Sequence, residues 1–101
     1  VRMNLLKNAL LSFLGKMEFN INKQAAKDSK KLKFSGLKEK AELILSILVS
    51  NPFQNPPSYE KLTGDLSGLF SRRINIQHRI VYQVFKEIRT VKVIRMWTHY
   101  E

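Results

Sequence analysis

The last third of the chain holds three strand-like runs, at about 69–74, 79–87 and 90–98, joined by connections too short for a crossover. A parallel connection needs a dozen or more residues, so these runs are expected to pair as an antiparallel meander. If the first turn is Asn75-Ile76-Gln77, then Ile74 faces His78 and Arg73 faces Arg79. Directly opposite residues share a face, with Cβ atoms about 4.5–5.5 Å apart. Two arginines so placed repel each other unless an anion lies between them. The plainer reading is two arginines on a solvated face.

The N-terminal half supplies what covers such a sheet. Residues 17–22 (MEFNIN) alternate apolar and polar, with Met17, Phe19 and Ile21 on one face of a short strand. Residues 23–33 are rich in Lys and Ala and read as a helix whose weak inner stripe is Ala25, Ala26, Ser29 and Leu32. Ser35-Gly36 interrupts the pattern, with Ser35 the expected N-cap of a second helix. In that helix Leu37, Ala41, Ile44, Leu45 and Leu48 repeat at the spacing of one buried face, and Pro52 sets its end. A loop with three prolines follows (NPFQNPPS), then a turn-rich stretch broken by Gly64 and Gly68. The order is β-α-α-β-β-β, an α+β layer fold: an antiparallel sheet with a helical hairpin packed on one face.

At 101 residues there is room for one domain, expected at 17–101. Residues 1–16 read as an amphipathic extension outside the core, such as a GTG start codon translated literally would produce, with Met17 a natural beginning. Lys7 interrupts its apolar centre and no small-residue cleavage site follows, which argues against a signal peptide. Its polar face carries too few cations for a helix lying on a membrane. No apolar run approaches the roughly 18 residues that span a bilayer. There is no cysteine, which excludes disulfides and thiolate metal sites and fits a cytoplasmic protein. Two histidines cannot build a multi-histidine metal site.

Charge narrows the partners. A net +10 opposes compaction through self-repulsion unless something anionic offsets it. Nucleic acid is the leading partner, ahead of an acidic protein. Arginine suits a phosphate because its planar fork donates two hydrogen bonds and keeps its charge. His99, near the C-terminus, is the residue able to give a proton near neutrality, and Tyr100 beside it can stack on a base or bond a phosphate. Glu60, between the proline loop and the sheet, is the candidate base; the bland reading is a surface glutamate paired with Lys61. His78 is a weaker candidate beside the hairpin turn. A Glu, a His and one or two Arg suffice to cleave RNA through its own 2′-hydroxyl, with no metal or other cofactor required.

These residues resemble the YoeB/Txe toxins of the RelE superfamily, which have a microbial-RNase-like fold. The matching stretches run from Leu66 through Ser71-Arg72-Arg73-Ile74, then His78-Arg79-Ile80-Val81-Tyr82, then the terminal His99-Tyr100. The resemblance implies a bacterial toxin that enters the ribosomal A site, cuts mRNA there and so inhibits translation. It further implies a YefM-like antitoxin as partner, a homodimer as one assembly, and operator DNA bound only together with the antitoxin. Carried over residue by residue, Glu60 would be general base and His99 general acid. Arg73 and Arg79 would stabilise the phosphorane and Tyr100 would orient the substrate. Arg72 and Lys61 join the expected substrate-binding set. The chain departs from the family where Tyr59 and Lys61, rather than prolines, flank Glu60. It departs again at Phe70, where tryptophan is common, and at Glu101, which follows the usual terminal tyrosine.

Two rival readings remain. One is a RelE-like toxin that acts by occupying the ribosome or another target without cutting. The other, a DNA-binding regulator, lacks a helix with the Asn, Gln and Arg that read base edges.

Overall fold

The computed structural model of the chain describes residues 17–96; residues 1–16 and 97–101, His99 and Tyr100 among them, lie outside the described residues. The elements are β1 (Glu18–Ile21), α1 (Lys23–Phe34), α2 (Lys38–Ser50), β2 (Glu60–Lys61), a 3-10 turn (Gly64–Leu66), β3 (Phe70–Arg73), β4 (Arg79–Phe85) and β5 (Thr90–Arg95). One five-stranded sheet has the order β1-β5-β4-β3-β2. The meander is present as expected: β3 pairs antiparallel with β4, and β4 with β5.

The sheet differs from expectation in two ways. It is mixed, because β1 lies parallel to β5, with Phe19 opposite Val91 and Ile21 opposite Val93. Alternation in MEFNIN marks a strand but says nothing about its direction relative to a partner. The second difference is β2, two residues long, which pairs Glu60 with Ser71 and Lys61 with Phe70. Two residues carry no periodicity, so only the pairing reveals this strand.

Alternation along β3 and β4 sorts the sheet into two faces. Ile74, Ile80, Tyr82, Val91 and Val93 bury against Ala25, Leu32, Ala41, Ile44 and Leu48 of the helices, with Phe70 and Val84 packed beside them. Ser71, Arg73, Arg79 and Val81 stand on the other face. A bulge in the β4–β5 ladder between Val81 and Tyr82 re-aims the end of β5.

The helices follow their apolar stripes, with two corrections. Ser35 does not cap α2, which starts at Lys38 without a side-chain cap. Ser35 instead ends α1, its hydroxyl donating to the Leu32 carbonyl at 3.0 Å. Gly36 follows at φ 78, and the Gly36 and Leu37 amides bond back to Lys33 and Leu32. This is a Schellman turn, which places glycine where a side chain would be strained. The glycine thus marks an end, and the serine before it is part of that end. In α1 the buried residues are Ala25, Asp28 and Leu32, whereas Ala26 is exposed. Asn22 caps the helix, accepting from the Ala25 amide at 2.8 Å.

Asp28 is fully buried and ties α1 to the end of β5. It accepts from Arg95 Nε at 2.8 Å, the Met96 amide at 3.0 Å and Gln24 at 3.2 Å. Burial alone would push its carboxyl up, but those three donors outweigh burial and hold it below the ordinary 3.8. A carboxyl lowered on folding stabilises above its ordinary value, and that contribution disappears as pH falls through the folded-state value. Stability should therefore decline in acid below about pH 5. Asp28→Asn should lose about 2–3 kcal/mol at pH 7, the range for a broken buried pair reduced because Arg95 is partly exposed. Its acid limb should be flatter than wild type. Urea midpoints across pH check both; parallel acid limbs would refute the assignment.

Candidate active site

The three-proline loop presents its carbonyls inward, and Arg72 takes them. Nη1 donates to Pro57 O at 2.7 Å, and Nη2 donates to Pro52 O at 2.9 Å and Gln54 O at 2.8 Å. Nε donates to the Tyr82 hydroxyl at 3.0 Å, and the guanidinium lies 5.0 Å from the Tyr59 ring centroid. Arg72 is 1% exposed. Burial raises the Tyr82 pKa against the opposing charge of Arg72. Phe53, Tyr59 and Phe70 meet edge to face beside this clamp, with centroids 5.6–6.1 Å apart. The loop therefore leaves the core at one fixed place and delivers Tyr59-Glu60 to the edge of β3.

Register then brings the charges together. Glu60 opposes Ser71 on β3, Ser71 opposes Val81 on β4, and Arg73 opposes Arg79 as the hairpin turn requires. Arg79 Nη1 lies 3.0 Å from Glu60 Oε2 and donates to Ser71 Oγ at 3.1 Å. The Arg79 side chain is 9% exposed and that of Glu60 58%. One partner is thus fixed and the other open to solvent. Arg73 is exposed and has no ion pair among the described residues. Asn75 closes the hairpin, its Oδ1 accepting from the Gln77 amide at 2.9 Å and the His78 amide at 2.7 Å. His78 is buried behind the turn.

Glu60, Ser71, Arg72, Arg73 and Arg79 line a cleft of roughly 130 Å³ together with Pro57, Ser58, Tyr59 and Ile44. Three guanidiniums against one carboxylate leave it cationic; the Arg72 donors are taken by loop carbonyls, while Arg73 and Arg79 can fork onto a phosphate. The carboxylate beside them can accept a proton. Among the described residues, no three His, Cys, Asp or Glu side chains gather where a metal ion could sit.

Of the expected set, Glu60, Arg73 and Arg79 come together. His99 and Tyr100 lie outside the described residues. Arg72 shares the cleft wall, but its donors are on loop carbonyls, so in this structure they hold the loop. Lys61 alternates away from Glu60, pairing with Phe70 and lining an aromatic hollow with Phe53 and Tyr59. The bland pairing of Glu60 with Lys61 is replaced by Glu60 with Arg79. Sequence reading missed Ser71, which steadies Arg79, and Asp28. Pairing register would have exposed Ser71; nothing in a lysine-rich helix marks Asp28 as buried.

The fold and sequence have relatives among known proteins. The family described as YoeB-like toxin of bacterial type II toxin-antitoxin system matches residues 23–100. A Toxin YoeB of Synechocystis sp. is 34% identical over 65 residues, 64% of this chain and 73% of that protein. A YoeB/ParE toxin from Agrobacterium tumefaciens superposes with TM-score 0.75 at 28% identity, over 83% of this chain and 100% of that one. YoeB in a YoeB-YefM complex from Staphylococcus aureus gives 0.69 at 29%, over 83% and 98%. YafQ from E. coli strain BL21(DE3) gives 0.71 at 15% identity, over 81% and 92%, a likeness of fold alone. With its helical hairpin on a five-stranded sheet and a family match across most of its length, the chain belongs to the YoeB-like toxins of bacterial type II toxin–antitoxin systems.

Proposed function

We propose that this toxin is a ribosome-dependent mRNA endoribonuclease that blocks translation by metal-free attack of the RNA 2′-hydroxyl. The observation that carries this is the Glu60–Arg79 pair at 3.0 Å with Arg73 in register beside it. In the resting site Arg79 orients the Glu60 carboxylate. When a phosphate enters, Arg79 and Arg73 turn their forks to its non-bridging oxygens, which frees Glu60 to accept the 2′-hydroxyl proton. The 2′-oxygen bonds to phosphorus, and the bond from phosphorus to the 5′-oxygen breaks. His99 gives its proton to that leaving oxygen, while Tyr100 orients the nucleotide. The products are a 2′,3′-cyclic phosphate and a 5′-hydroxyl. Fixed cations favour the extra charge on the phosphorane over the ground-state diester, which is the origin of the acceleration.

The partners follow from the same reading: the ribosome and mRNA, a YefM-like antitoxin that silences the site, a second copy in a dimer, and operator DNA only alongside the antitoxin. The place of action is the cytoplasm. Among the described residues no helix is long and apolar enough to cross a membrane.

The chemistry is tested with an mRNA carrying one 2′-deoxy nucleotide at the cut position. Cleavage there should stop, while the unmodified message yields cyclic-phosphate ends. Equal cleavage of both would refute attack by the 2′-oxygen. Blocked translation with no cut ends at all would favour the non-cleaving reading.

A further inference from the structure

The outer face of α1 is not used by the cleft chemistry. At 100° per residue, Lys23, Lys27, Lys30 and Phe34 fall within about 60° of one another, directly opposite the buried stripe of Ala25, Asp28 and Leu32. Lys31 and Lys33 flank them, and all five lysines are exposed. Like charges three and four residues apart destabilise a helix by about 0.2–0.5 kcal/mol per pair. Glu42 of α2 lines a hollow with Lys30 and Lys33 but pairs with Lys38. The helix's one acid, Asp28, points inward to Arg95, and among the described residues none of the five lysines is in an ion pair.

Phe34 sits at the end of this row, 90% exposed. Cations in line with an open aromatic ring are what single-stranded nucleic acids bind: phosphates on the charges, an unpaired base on the ring. Lys23 to Lys30 spans about 10 Å along the axis, a length that the two backbone steps between three successive phosphates of a single strand can follow. An acidic protein could also use the lysines; the regular row of cations ending in an open ring is what favours a single strand. The row also lies on the outer side of α1, and no residue of that helix lines the cleft of Glu60 and Arg79. It is thus a separate surface, not an extension of the cleft.

We propose that the outer face of α1 is a second, docking site for single-stranded RNA, with Lys23, Lys27 and Lys30 on successive phosphates and Phe34 stacked under a base. The choice of RNA over DNA rests on the reading of the cleft; the surface itself needs no cleavage. The probe is a short, unstructured 2′-O-methyl RNA labelled with fluorescein, which cannot be cut, titrated by anisotropy at several salt concentrations. Lys23→Gln, Lys27→Gln and Lys30→Gln combined should reduce the salt slope by about 2, at about 0.7 per single-strand phosphate contact. Phe34→Ala should weaken binding about tenfold with the slope unchanged. All the changed residues are exposed, and circular dichroism checks that each variant keeps its fold. Wild-type binding by either variant overturns the proposal, and so does equal competition by polyglutamate. Cut ends on unmodified mRNA, read separately, report the cleft. An Arg79→Ala protein that cleaves like wild type would refute the catalytic reading while leaving this surface intact.

Discussion

Arg79→Ala is expected to slow single-turnover cleavage about a thousandfold, the loss seen when one preorganised donor to a developing oxyanion is removed. Stability should fall far less. Glu60, its partner, is 58% exposed and can take water instead, so the ion pair itself contributes no more than about 1 kcal/mol. Arg79→Lys should recover part of the rate, because it keeps the charge but loses the fork. Single-turnover rates and urea midpoints on the three proteins separate the outcomes. A rate loss that tracked the loss of stability would mean Arg79 is structural and the cleft is not where phosphate reacts.

Arg72→Ala is expected to show the opposite profile, with the largest stability loss of any single substitution in the described part of the chain. It leaves the Pro52, Gln54 and Pro57 carbonyls and the Tyr82 hydroxyl without their common donor. Unmet buried polar groups cost about 1–3 kcal/mol each, and water reaches the outer ones, so about 3–5 kcal/mol is expected in all. For a domain of this size that is about 15–25 °C in Tm. Activity should also fall below the folding transition, because the clamp fixes the loop that delivers Glu60. Arg72→Lys should not restore it, since one ammonium cannot span four acceptors. Calorimetry decides: a Tm within a few degrees of wild type would show that the loop is held otherwise.

Legibility from sequence followed the length scale of the interactions. The Arg73–Arg79 register was readable because a three-residue turn fixes it locally, and the inner stripe of α2 because its spacing repeats over three turns. The contacts that escaped span long separations. Asp28 meets Arg95 across 67 residues and Arg72 meets Pro52 across 20, and neither pattern has a period. Arg72 shows why composition misleads here. In a strongly basic chain an arginine beside Arg73 reads as another phosphate contact, and nothing local shows that its donors are taken by loop carbonyls at the cleft wall. Lys61 stands apart from Glu60 by alternation, one position along and therefore on the other side of the strand.

The most direct measurement is primer extension on an mRNA being translated by purified ribosomes, with wild type, Glu60→Gln and His99→Ala side by side. Wild type should leave new 3′ ends inside codons, on translated message only, and both variants should leave none while still binding ribosomes. New ends from either variant at the wild-type rate, or ends that appear equally without ribosomes, would contradict a ribosome-dependent nuclease built on Glu60 and His99.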